Sequence, residues 1–201
     1  MKCLPALVLS AVVATAIAAP SRPAAAAEIQ RMGQQSWPGK FLVGVHPLGF
    51  NITFANPTRG IFKTNLDFAG KIADLSKLTI WLGGEFNVGG AANYAQIEPG
   101  VFVILSLEKL LNLPLVPYIR GGVLGGIGFR YGLGNGPGGD TTFGNFWVKV
   151  GGGLHYWITK SIGLGGETNF GFGAGVESVN GVNSTTFSGF WEVVLGARFA
   201  F

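Results

Sequence analysis

The chain has 201 residues, room for one domain of ordinary size. Only 12% of them are charged, against about a quarter in soluble domains, and Gly accounts for 34. An apolar content of 48% with a net charge of +4 excludes disorder, and the lack of a three-residue glycine period excludes collagen.

The N-terminus has the form of a secretory signal. Lys2 starts it positively, Leu4 to Ala19 is mostly apolar, and the run Ala24 to Ala27 precedes Glu28. Cleavage after Ala27 puts alanine at both small positions, Ala25 and Ala27. Residues 1–27 are therefore expected to be removed, leaving 28–36 as a polar lead and 37–201 as the folded domain. Cys3, the only cysteine, goes with the signal. Loss of Lys2 and Arg22 lowers the net charge from +4 to +2, so the high pI is no argument for nucleic acid. The longest uncharged apolar run that follows, near Pro99 to Leu107, is too short for a spanning helix. Entry into a membrane then requires a closed β-barrel, which alone among sheets satisfies its backbone in lipid.

The first expected strand, Lys40 to Phe50, has indistinct faces and is interrupted at His46 and Pro47. The second, Ile61 to Ala73, alternates cleanly: Phe62, Leu66, Phe68 and Ile72 oppose Lys63, Asn65, Asp67 and Lys71. A tight turn, Asp74 to Lys77, leads to the third strand, Leu78 to Val88, with Trp81, Glu85 and Asn87 on its polar side. The fourth, Ala95 to Glu108, puts Gln96 and Glu98 opposite Ile97 and Val101. Lys109 to Pro114 connects it to the fifth, Leu115 to Tyr131, whose Arg120 and Arg130 share a face with Tyr118. After a Gly-rich loop the sixth, Phe143 to Ile158, sets Lys149, His155 and Trp157 against Val148, Val150 and Tyr156. The turn Thr159 to Ser161 and the seventh strand, Ile162 to Ala174, follow, with Glu167 and Asn169 opposite Phe170 and Phe172. Residues 175–186 read as a loop. The eighth, Phe187 to Phe201, runs Trp191, Val193, Leu195, Ala197, Phe199 and Phe201 on one face and carries Glu192 and Arg198 on the other.

Eight strands with short connections predict an all-β, antiparallel, up-and-down transmembrane β-barrel. The sorting of charge carries the membrane reading. Lys63, Asp67, Lys71, Glu85, Glu98, Arg120, Arg130, Lys149, Glu167, Glu192 and Arg198 all lie on the non-apolar faces. A soluble barrel would put charge outside; a membrane barrel puts it within. The near balance of sign allows these groups to pair as a structural charge network filling a narrow lumen.

The chain resembles the eight-stranded outer-membrane barrels of bacteria, the group of the OmpA transmembrane domain and the OmpX-like proteins. The resemblance covers about residues 37–201. It rests on the signal, the eight alternating strands and the ending Val193, Leu195, Ala197, Phe199 and Phe201, which looks like the signal read by the outer-membrane assembly machinery. It implies residence in the outer membrane among lipids and lipopolysaccharide, with both termini in the periplasm and the loops 132–142 and 175–186 outside, offered to an extracellular partner.

Other motifs carry less. Gly134 to Gly139 matches G-x-G-x-x-G, but a strand rather than a helix follows, so it reads as a loop. His46 and His155 lack the neighbours of a metal site or a catalytic base. No catalytic, cofactor or metal residue is assigned. The expected role is structural or surface-interacting, not enzymatic; the alternatives are a narrow pore or, behind it, a lipid-modifying barrel enzyme.

Overall fold

The computed structural model describes residues 39–54, 59–107, 115–131, 141–159, 161–179 and 182–201. The signal, the lead, most of the loop 132–142 and the Lys109–Pro114 connection lie outside them.

Eight strands form one closed ring: β1 (Phe41–Phe54), β2 (Arg59–Asp74), β3 (Thr79–Ala91), β4 (Tyr94–Ser106), β5 (Leu115–Arg130), β6 (Thr141–Trp157), β7 (Ile162–Val179) and β8 (Val182–Ala200). Each strand pairs antiparallel with its neighbours in sequence. β8 closes the ring on β1, with Phe50 opposite Val193. No edge is left to be satisfied.

The termini are tied together at one end. Lys40 and Phe41 donate their amides to the Phe201 carbonyl at 2.6 and 3.1 Å, and Phe201 donates to Phe41 at 3.0 Å. Gly39 stands beside that carbonyl at φ +85°, where any Cβ would collide with it. The turns at this end are tight: Leu75 donates to Leu78 at 2.9 Å, and Thr159 Oγ1 accepts from Ser161 and Ile162.

The poor alternation of β1 has a structural cause. Leu42, Gly44 and His46 are buried, and then Gly49 and Asn51 are buried. The register slips between His46 and Gly49 against β2 and between Val45 and Leu48 against β8. A β-bulge there inverts the parity, and Pro47, which has no amide to donate, sits in it.

The segment 175–186, expected as a loop, is largely strand. Pairing of β7 with β8 continues through Val176–Thr185 and Ser178–Asn183 to Val179–Val182. Asn, Ser and Thr made it look like loop, but Val176 and Phe187 keep the outward alternation and the Thr residues favour extended backbone. β8, with 19 residues, is about 60 Å long, or about 45 Å when tilted, well beyond the ~25 Å apolar band of a membrane barrel. The β7–β8 hairpin therefore projects past that band. Similarly, the third and fourth strands, expected to stop at Val88 and start at Ala95, run on to meet in a turn at Ala92 and Asn93.

The outside is apolar. Phe68, Phe170 and Phe172 are more than half exposed in mid-strand, and Phe41 and Phe201 near the termini answer Phe54 and Phe187 toward the opposite end. Among the described residues, no strand puts a charge on its outward face; the register slip between Lys71 and Ala73 sets Asp74, exposed at the end of β2, opposite the buried Thr79.

Candidate functional site: the filled lumen

Every strand but β1 sends at least one charge inward, because period two puts all residues of one parity on the lumen side. Nine of the eleven charges expected inside are fully buried: Lys63, Asp67, Glu85, Glu98, Arg120, Lys149, Glu167, Glu192 and Arg198. They form one ladder of alternating sign. Glu98 meets Lys63 at 2.6 Å, and Lys63 meets Glu192 at 3.0 Å. Glu192 lies 3.5 Å from Lys149, which reaches Glu85 at 2.6 Å. Glu85 meets Arg120 at 3.0 Å. Arg120 then spans Asp67 and Glu167 at 3.0 and 3.2 Å, and Arg198 closes on the same two carboxylates at 3.0 and 3.5 Å.

Three asparagines brace this ladder. Asn65 donates to Glu85 at 3.0 Å and to Asn87 at 2.7 Å. Asn87 donates to Glu85 at 3.1 Å. Asn169 joins Glu167 to Glu192 at 2.7 and 3.1 Å. Tyr118 donates its hydroxyl to Glu167 at 2.9 Å. These bonds occupy carboxylate lone pairs that a dry lumen would otherwise leave empty.

The two remaining expected members sit at the rims and pair locally, a correction to their placement in the network. Lys71 lies 3.8 Å from Asp74 and over the Trp81 ring, at the end holding the termini. Arg130 pairs with Glu177 at 2.7 Å at the other end, both half-buried. Each strand is longer than the charge layer, so its first and last inward positions fall at a mouth.

Aromatic layers flank the charges. On the termini side Trp81, Phe102, Ile104, Val116, Tyr118 and Trp157 form one buried cluster. Arg120 lies 3.8 Å over the Phe102 ring and Arg198 4.7 Å over Tyr118. On the far side Leu124, Trp147 and Phe190 form a second, smaller cluster, with the Trp147 and Phe190 rings edge to face. Glycine makes the room: a Cβ at Gly171 would enter the Phe190 ring, and one at Gly153 would meet the Tyr118 hydroxyl.

The histidines converge. His46 and His155 are fully buried, their rings 6.3 Å apart, and His155 is 5.3 Å from Tyr118. His46 Nδ1 lies 3.0 Å from Asn65 Oδ1 and 3.8 Å from Asp67. Among the described residues no group of three His, Cys, Asp or Glu side chains is arranged to hold a metal.

Beyond Phe190 the described residues at the far end line a cavity of about 130 Å³. Tyr94 and Phe143 stack in its wall, their centroids 4.9 Å apart at 20°. Arg59, Arg130, Glu177, Gln96 and Asn51 also line it. Sequence reading left Arg59 and Glu177 in loops; continuing the parity of β2 and β7 outward by a few residues would have found both.

No protein-family model matches the chain, and no curated protein sequence matches it. Solved structures do. The chain is similar to neisserial surface protein A, at 14% identity and a TM-score of 0.62, covering 80% of this chain and 97% of that one. It is similar to the outer membrane protein OprG from Pseudomonas aeruginosa, at 12% identity and a TM-score of 0.56, over 84% and 98% of the two chains. The N-terminal β-barrel domain of Pseudomonas aeruginosa OprF gives 12% identity and a TM-score of 0.54, over 81% and 98%. The fold is thus that of the eight-stranded outer-membrane barrels. At these identities the likeness is one of fold.

Proposed function

We propose that the chain is an integral outer-membrane protein with a structural or surface-interaction role and a lumen closed to solutes. One observation carries this reading: nine buried charges of alternating sign, locked between two aromatic layers inside an apolar shell. The shell suits lipid and would aggregate in water. A ladder of this kind exchanges the hydration of each ion for two or more fixed partners, which supports a lumen closed to solutes. Both termini and the tight turns face the periplasm in this reading, and the β7–β8 hairpin stands outside. Val193, Leu195, Ala197, Phe199 and Phe201 then serve as the assembly signal. The histidines do not argue for a lipid-modifying enzyme, since they are enclosed in the lumen where no acyl chain of the surrounding membrane reaches them.

A nitroxide scan of β3 in lipid vesicles tests the placement. Labels at Leu82→Cys and Phe86→Cys should be relaxed by oxygen dissolved in the bilayer, and one at Ala92→Cys by an aqueous nickel chelate. Nickel access at Leu82 and Phe86 would contradict the membrane reading. Transport is the competing reading, and ion conductance decides between them.

A further inference from the structure

We propose that the cavity at the far end of the barrel is a binding site for a single acidic sugar ring. This deepens the surface-interaction reading above, but it rests on the cavity's own geometry and its test is independent of orientation in a membrane.

The first argument is size. The cavity, about 130 Å³, is close to the ~150 Å³ that holds a single benzene ring. Between the described residues it has room for one six-membered ring, with the ring's substituents toward the rim. Phe190 and Trp147 form its floor, so the ring stops there.

The second is wall chemistry. Specific small-molecule sites combine aromatic surface with a few placed polar groups. Here the stacked Tyr94–Phe143 pair offers a flat apolar face. Gln96 and Asn51, both buried, offer carboxamides that match hydroxyls as donor and acceptor. The Tyr94 hydroxyl donates to Gln96 Oε1, which leaves the Gln96 amide as the donor to a ligand. Asn145, also in the lining, is held by its bond to Glu98 at 3.1 Å.

The third is charge. Arg59 and Arg130 share this wall and also line a neighbouring cleft at the rim, with Tyr94 between them in both linings. Glu177 is taken by Arg130 at 2.7 Å, and Glu98, at the cavity base, by Lys63 at 2.6 Å. Among the described residues Arg59 has no ion pair. It is a fork donor at the mouth, suited to a carboxylate or phosphate on the part of the ring nearest solvent.

The test is saturation-transfer NMR on the detergent-solubilised full barrel with D-galacturonate, and with D-galactose as the neutral counterpart. Galacturonate should bind about tenfold more tightly, the equivalent of one charge-assisted hydrogen bond. Arg59→Gln should remove that preference and Arg59→Lys restore much of it. Phe143→Ala should weaken both sugars equally. Heat-modifiable gel migration of each variant shows that the barrel is intact. A trigalacturonate arm separates sources: binding as tight as the monomer indicates the end of a glycan, and binding of the monomer alone indicates a free acid. No transfer to either sugar, equal binding of both, or a preference that survives Arg59→Gln would overturn the proposal. Steady ion conduction would instead contradict the closed lumen and leave this site standing.

Discussion

The two ends of the lumen are built from the same wall and reach different outcomes. At the end that holds the termini, inward positions carry Trp81, Phe102, Tyr118 and Trp157, buried in one cluster with Leu42 and Ala200. At the other end the buried cluster is smaller, Leu124, Trp147 and Phe190, and beyond it Asn51, Gln96 and Arg59 line a cavity. The same eight strands pair along both ends. Side-chain size at positions of one parity sets how much of the interior each end fills. Between the ends the charge ladder couples them, because Arg120 and Arg198 lie on the rings of one layer and Lys63 lies 5.5 Å over Phe190 of the other.

The comparison can be broken most severely at its middle. Arg120→Ala strands Asp67, Glu85 and Glu167 with fewer partners, and should lower stability by about 3–5 kcal/mol, read by urea unfolding in lipid vesicles. Trp157→Ala at the end holding the termini should lower it by about 3–5 kcal/mol through the cavity left behind, with no change at the far end. Gly171→Val, which drives a side chain into Phe190, should cost about 1–3 kcal/mol and perturb the cavity floor, visible as a change in Trp147 fluorescence. Arg130→Ala at the far rim should cost no more than about 1 kcal/mol, since its pair with Glu177 is partly solvated. Equal losses for Arg120→Ala and Arg130→Ala would erase the distinction between lumen and mouth.

The strand count, the turns at Asp74 and Thr159 and the direction of every buried charge were legible in the sequence, because period two leaves a residue no third side to occupy. Three things were not. The bulge at Pro47 inverts parity within one strand, so β1 read as noise until its partners were known. The β7–β8 extension has loop-like composition, and pairing across the hairpin, not propensity, makes it strand. The charge set was visible, but not its order. That Lys71 and Arg130 belong to rims while Lys63 and Lys149 interlock depends on stagger between strands, which alternation within a strand does not encode. Arg59 was lost for a simpler reason: β2 begins two residues before Ile61, and its alternation continues back to Arg59.

Ion conductance across a planar bilayer tests the closed lumen most directly. The wild-type barrel should add no current to that of the bare bilayer, whereas Arg120→Ala and Glu192→Ala should produce discrete current steps as the ladder loses a rung. Steady ohmic conductance from the wild type, unchanged by either substitution, would contradict a lumen closed by paired charges.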